Sequence, residues 1–442
     1  VPEALGAPFS LSDAVARLAA APQWRQADLA FESAARAVES ARAAGGLSFG
    51  VGGNLGYSAL SAAGNVPSNT NTSASVSATL GATVLPWAPA NDNVRAAERA
   101  LATARATLQG TRATLLQNVQ SAYFSARLAR QDLTLAQGQL RLREEQLVVA
   151  RTRREQGAAS QEDLLSAQQN VETARAGVVQ AQNNLDYARR ALLNVLGLPD
   201  GPLNLTTAPS EPQTPDAPEA LIARALTARR EVVEATQNLR GAEDALVSAR
   251  RDRLVPSASL GVEFGYLGFG NTPSGATVSG SLNFKTGAAS ATASAPVTSG
   301  ATSERGGLSV NLSASYTLLD PAADAAIRSA QTSLAGAQLA LSLARQNVEL
   351  AVRQNLNTLQ NARALLGARR TAVEVAQTAL ATARSRLAAG LAVSGDVLSA
   401  ELALAGAQRD LEAALTDAQN AYGALQSATG AVPLPTAPGG TP

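Results

Sequence analysis

The sequence predicts an internally duplicated α+β membrane protein, with long helices interrupted by strands of membrane-crossing length. Three observations lead there. Proline is absent between Pro89 and Pro199 and again between Pro321 and Pro433, four segments alternate apolar and polar residues almost without a break, and a set of positions in one half recurs in the other at a constant offset.

Composition narrows the chemistry first. Only 3% of the 442 residues are aromatic, so a large conventional core built on Phe, Tyr and Trp is not expected. There is no His and no Cys, which excludes zinc sites of the usual kind, imidazole acid–base catalysis, thiol nucleophiles and disulfides. No cofactor or metal is implied. The 36 basic residues, of which only Lys285 is a lysine, balance 35 acidic ones and leave no nucleic-acid footprint. No run of about 18 consecutive apolar residues occurs, so a membrane role falls to strands. The opening Val1-Pro2-Glu3 has neither Met nor an apolar leader, the form expected of a mature protein after signal-peptide removal.

The first repeat, 1–197, reads as a helix, a β-hairpin over 47–85 and a long helical hairpin over 92–197. In the β-hairpin, Leu47, Phe49, Val51, Leu55 and Tyr57 alternate with Ser48, Gly50, Gly52, Asn54 and Gly56, and Ala74, Val76, Ala78, Leu80 and Ala82 alternate with Ser73, Ser75, Ser77, Thr79 and Gly81. Strands of about 12 residues tilted near 45° cross roughly 30 Å of hydrocarbon. A sandwich with one wet face uses the same alternation, but Ser, Gly, Thr and Asn suit a water-filled lumen better than a charged outer surface. The helical span is rich in Ala, Leu, Gln, Arg and Glu, strong helix formers. It breaks once, at Gln156–Ser160, and its first arm would run roughly 95 Å at 1.5 Å per residue. Arms of that length need neighbouring helices along them.

A linker over 198–218 carries Pro199, Pro202, Pro209, Pro212, Pro215 and Pro218 and cannot be regular helix. The second repeat, 219–431, has the same order: a helix, a β-hairpin over 255–319 and a helical hairpin over 322–431 that breaks at Ala389–Gly395. Its strands set Ala258, Leu260, Val262 and Phe264 against Ser257, Ser259, Gly261 and Glu263, and Leu308, Val310, Leu312 and Ala314 against Ser309, Asn311, Ser313 and Ser315. The duplication is explicit in Gly157, Asp163, Leu165, Leu192 and Gly197, which recur as Gly390, Asp396, Leu398, Leu425 and Gly430, all displaced by 233 residues. The second half gains about 26 residues in its β-hairpin. The loop from Gly268 to Gly307 is read as a mobile external loop on the solvent side, with extra strand around 278–284 left open. The tail, 432–442, is expected to be disordered.

Four spanning strands cannot close a barrel, and open edges are not tolerated in lipid. Two, three or four copies would give 8, 12 or 16 strands, and an 8-stranded barrel is filled by its own side chains, so a pore needs at least three. The helical hairpins of such an assembly close either into a ring or into a solid coiled-coil stalk.

This order of elements, repeated twice over nearly the whole chain, resembles the TolC family of outer-membrane efflux and secretion channels. Ala20-Ala21-Pro22-Gln23-Trp24 is similar to the family's Asn-Pro-containing turn in the first helix, and Leu254-Val255-Pro256-Ser257-Ala258-Ser259-Leu260 to the start of its third strand. Gly157 with Asp163-Leu164-Leu165-Ser166-Ala167, and Gly390 with Asp396-Val397-Leu398-Ser399-Ala400, follow its pattern of Gly, five residues, Asp at the helical tips. The resemblance implies a homotrimer with a 12-stranded β-barrel in outer-membrane lipid, continued by a periplasmic α-helical barrel roughly 100 Å long. It also implies an inner-membrane pump and a periplasmic adaptor that caps the tips. The chain would be a passive exit duct of a tripartite efflux pump or type I secretion system.

The same resemblance places Asp163 and Asp396 as carboxylate rings at the narrow end of the bore, where converging like charges favour cations and lift their own pKa values. The alternative is that each acid supports the N-terminus of the re-entering helix. Gly157 and Gly390 permit the tight turn and, with Arg153, Arg154 and Arg386, are candidate adaptor contacts. Ser399 stands where better-known members carry a second acid, and Ala392 where they carry a basic gate residue, which makes Leu387, Leu391 and Val393 a candidate apolar gate. Tyr57, Trp87, Tyr266 and Tyr316 are candidate membrane-interface aromatics. A structural trimer that links outer membrane and cell wall without transport is the competing reading. An enzyme is the weakest, since the two carboxylates occupy matching positions of a repeat with no nucleophile signature nearby.

Overall fold

The computed structural model describes residues 8–60, 69–267, 275–296 and 305–431; the expected tail, 432–442, lies outside them. Helices α1 (Leu11–Leu18) and α2 (Pro22–Ala44) precede strands β2 (Ser48–Leu60) and β3 (Asn69–Thr83), and these lead into helices α3 (Pro89–Glu155) and α4 (Gln161–Leu196). The second half repeats the order with α5 (Pro218–Ala228), α6 (Arg230–Leu254), β5 (Ser257–Leu267), β6 (Thr277–Asn283), β7 (Ala288–Pro296), β8 (Arg305–Ser315), α7 (Pro321–Ala388) and α8 (Ser394–Ala428). Two short strands, β1 (Pro8–Phe9) and β4 (Asn204–Leu205), pair in parallel. The 67 residues of α3 and 68 of α7 correspond to about 100 Å of helix each. No described helix is long and apolar enough to cross a membrane.

The chain divides into two compact units that cut across the repeats, one of Val1–Ala30, Arg105–Val233 and Ala344–Pro442, the other of Phe31–Ala104 and Glu234–Leu343. In the first unit, Phe9, Leu18, Val119, Tyr123, Phe124, Leu192 and Leu196 form a buried cluster. The Tyr123 hydroxyl donates to the Phe9 carbonyl at 2.8 Å and accepts from the Thr207 amide at 2.9 Å, so β1 and β4 are pinned to α3. The linker is held against the helices: Arg370 pairs with Glu211 at 2.5 Å, Arg363 donates to the Pro212 carbonyl at 3.3 Å, and Gln419 donates to Ser210 at 3.0 Å. Between the long helices run ion pairs of Arg127 with Glu412, of Arg409 with Asp132 at 2.7 Å and of Arg369 with Asp410 at 3.2 Å.

The duplication reaches the backbone. Gly157, Gly197, Gly390 and Gly430 all have positive φ, between 67° and 73°. Each closes a helix with the same two bonds, for example Gly390 N to Leu387 O at 3.0 Å and Leu391 N to Arg386 O at 2.8 Å, the left-handed cap that glycine adopts most readily.

In the second unit, the four alternating segments form β2, β3, β5 and β8, but the sheet has six strands in the order β2-β3-β7-β6-β5-β8. The reading of 268–307 as an external loop is therefore corrected: β6 and β7 lie within the sheet, between β3 and β5. The reason is periodicity, since Val278, Gly280 and Leu282 alternate with Ser279, Ser281 and Asn283, and Ala289, Ala291, Ala293 and Ala295 with Ser290, Thr292 and Ser294. All pairings are antiparallel.

Two arginines at the end of α6 hold the junctions from sheet to helix. Arg251 donates to the Trp87 carbonyl at 2.7 Å and pairs with Asp92 at 3.2 Å. Arg253 donates to the Tyr316 hydroxyl at 2.9 Å and to the Thr317 and Leu318 carbonyls at 3.2 and 3.0 Å.

A Cβ on Gly430 would stand 2.6 Å from the Ala228 Cβ, in a backbone region that disfavours it, whereas Gly336 in α7 faces open space. Gly430→Ala should cost at least about 1–2 kcal/mol and Gly336→Ala should gain about 0.5–1 kcal/mol, both read by denaturant unfolding followed by circular dichroism.

Candidate functional site

The two tips are built alike and differ in the side chain that caps the re-entering helix. At the first, α3 ends in Arg153 and Arg154, basic side chains that complement the carbonyl end of a helix. Gly157 reverses the chain, and Ser160 caps α4. The Asp163 carboxylate accepts from the Ser160 amide at 2.8 Å and from its hydroxyl at 2.8 Å, while the Asp163 amide donates back to the Ser160 hydroxyl at 3.0 Å. This reciprocal pair satisfies two amides that the first helical turn leaves without partners.

At the second tip the residue in the position of Ser160 is Val393. Its amide still donates to the Asp396 carboxylate at 3.1 Å, but a valine side chain accepts nothing, and the Asp396 amide turns to the Val393 carbonyl at 3.0 Å instead. The second cap is half made.

Both acids thus support the re-entering helices, the alternative that the sequence left open. Hydrogen bonds from the Ser160 backbone and then its side chain hold the Asp163 carboxyl below the ordinary Asp value. The upward direction expected of a ring belongs to converging copies rather than to one subunit. Asp163 and Asp396 are both exposed, so their remaining lone pairs face solvent.

Arg386, Leu391 and Asp396 line one groove of about 820 Å³ with Glu374, Val375 and Thr378. Leu387 and Val393 do not line it, though 40% and 66% of their surfaces are exposed, as is 79% of Leu391. Arg384 pairs with Glu401 at 2.8 Å, and Arg153 and Arg154 are exposed.

Of the aromatic candidates, Tyr57 is 70% exposed near the loop end of β2. Trp87 and Tyr316 lie at the helical end of the sheet, where the Trp87 indole donates to the Phe284 carbonyl at 2.9 Å and the Arg253 guanidinium stacks 5.6 Å from the Tyr316 ring. Tyr266 pairs with Gly306 through β5 and β8. Sequence reasoning missed Arg251 and Arg253, whose partners, among them the carbonyls of Trp87, Thr317 and Leu318, are mostly distant in sequence and leave no motif. It also missed the contrast of Ser160 with Val393, which the spacing Ser-x-x-Asp against Val-x-x-Asp does show.

The sequence profile of the outer membrane efflux protein family matches residues 15–198 and 221–431. The chain belongs to that family. The two matched segments correspond to its two halves, so this family member is internally duplicated.

Solved structures agree on the fold. A membrane protein from Pseudomonas aeruginosa is 22% identical with a TM-score of 0.68, over 95% of this chain and 93% of that one. The outer membrane protein VceC from Vibrio cholerae is 18% identical with a TM-score of 0.67, over 95% and 96%. CusC, described as undergoing conformational changes on folding and transmembrane channel formation, is 17% identical with a TM-score of 0.70, over 95% and 92%. No curated protein sequence matches the chain.

Completing the second cap should stabilise it. Val393→Ser is expected to gain about 0.5–1 kcal/mol, read as roughly two- to fivefold slower amide hydrogen exchange at the start of α8. Because the Asp163 carboxyl is held low, its support of α4 is complete above the ordinary Asp value of 3.8 and is lost as pH falls through the depressed one. Exchange at the start of α4 should therefore accelerate only in strong acid, and Asp163→Asn should abolish that acid step.

Proposed function

We propose that this outer membrane efflux protein works as a homotrimer. It would be the passive exit duct of a tripartite efflux pump or type I secretion system, in which a pump supplies the energy and an adaptor engages the helical tips across the periplasm. The observation that carries this reading is the two-faced sheet: Phe49, Val51, Leu55 and Tyr57 of β2 and Leu308, Val310 and Leu312 of β8 are large apolar side chains left exposed. The opposite face is made of Ser, Thr, Gly and Asn, with Glu263 its one acid among the described strands. Lipid outside and water inside account for both.

Trp87 and Tyr316 at one end of the strands and Tyr57 toward the other fit the two aromatic girdles of such a barrel. Tyr266, near the loop end of β5, belongs with Tyr57. At the tips, three copies of Asp163 and Asp396 would present six carboxylates to the bore. Arg153, Arg154 and Arg386, with the turns at Gly157 and Gly390, would meet the adaptor. Leu387, Leu391 and Val393, exposed in the single subunit, would narrow the passage in place of the missing basic gate. Nothing in this scheme transforms the substrate.

Single-channel recording in planar lipid bilayers separates a duct from an envelope spacer. The purified protein should give discrete conductance steps that are cation-selective, and Asp163→Asn combined with Asp396→Asn should reduce that selectivity severalfold. A bilayer that stays silent with the wild type and with the double variant would favour the spacer.

A further inference from the structure

Strands β6 and β7 continue the sheet between β3 and β5. Their register carries both faces of the sheet through without a slip. One row of partners runs Val51, Ala78, Ala293, Val278, Phe264 and Leu308, apolar at every step. The next runs Gly50, Thr79, Thr292, Ser279, Glu263 and Ser309 on the other face. A slip of one residue at either inserted strand would have put hydroxyls on the apolar side.

Side chains seal the joins on the polar face. The hydroxyls of Thr79 and Thr292 are 3.2 Å apart across β3 and β7, those of Ser281 and Ser290 2.7 Å apart and those of Thr277 and Ser294 3.0 Å apart across β6 and β7.

The hairpin starts at the helical end of the sheet and runs beside β5 over residues 259–265 and beside β3 over residues 75–83. Its turn, Phe284–Gly287, sits at the helical end, where the Asn283 side chain accepts from the Lys285 and Thr286 amides at 3.0 Å each. The Gly287 carbonyl accepts from the Val84 and Leu85 amides at 2.9 and 3.3 Å. Gly287 has a φ of 66°, and a Cβ there would meet Ala88 and Leu85 at 2.8 and 2.9 Å, so the turn is seated tightly beside the junction of β3 and α3. An external loop would have no such anchor.

We infer that each subunit supplies six wall strands, so that the trimer proposed above closes an 18-stranded barrel instead of a 12-stranded one. The outer strands permit closure: five antiparallel pairings in a row leave β2 and β8 running in opposite directions, so β8 of one copy meets β2 of the next as another antiparallel pair. Barrel diameter grows roughly linearly with strand number, which makes this lumen about half as wide again. It is lined by small hydroxyl side chains and Gly, with Glu263 the one acid on the strands described. The membrane section then restricts exported solutes by size less than a 12-stranded wall would.

The chain has no Cys, so engineered pairs can be read without background. Thr79→Cys with Thr292→Cys should form a disulfide in most molecules under mild oxidation in membranes. Thr79→Cys with Glu263→Cys, two strands further on, should form at least tenfold less. A second pair that links as well as the first, or in its place, would mean that β3 lies directly beside β5 and would overturn the 18-stranded wall. The inference rests on the trimeric reading, which native mass measurement of the same samples tests separately. Trimers with the 79–292 link support both, whereas monomers with that link would keep the six-stranded sheet and remove the trimer together with the closed barrel.

Discussion

Hydrocarbon offers no partner to a peptide amide or carbonyl, and each one left bare there costs several kcal/mol. That constraint organises the whole chain. Its sheet satisfies every interior strand on both sides but ends in β2 and β8, whose outer rows have no neighbour among the described residues. A subunit whose membrane face ends in two open edges cannot be the finished object. The exposed apolar side chains of the long helices, Leu339, Leu350, Leu365 and Val375 among them, make the same point for the helical part, because arms of this length are stable only against other helices.

Within that frame the remaining interactions divide the labour. Arg251 and Arg253 fix the places where strands give way to helices, spending guanidinium hydrogen bonds on carbonyls that a chain reversal would leave open. The left-handed glycine caps end four helices identically, so both halves turn the same corner. Against this symmetry the tips diverge: Ser160 completes one capping box and Val393 leaves the other half made.

Much of this was legible in the residues. The first arm of the helical hairpin expected over 92–197 is α3, Pro89–Glu155, because a Pro-free run of strong helix formers has few other options. The strands β2, β3, β5 and β8 carried Phe, Val, Leu and Tyr against Ser, Gly and Asn, a contrast that survives any choice of hydropathy scale. Strand β7 did not. Its apolar positions are all Ala, a residue depleted in strands, and Ala alternating with Ser and Thr differs little in composition from a flexible linker. Register with neighbours, which a single sequence does not display, made it a strand. At the tips the sequence located Asp163 and Asp396 but left two roles open, and only hydrogen-bond geometry showed the capping one.

The closure of the two edges is the most direct thing to measure. In lipid nanodiscs, hydrogen exchange of the β2 and β8 amides should be as slow as that of β3 and β5, because a neighbouring copy covers each edge. Fast exchange at alternate residues of β2 and β8, beside a protected interior, would show open edges and contradict a closed wall.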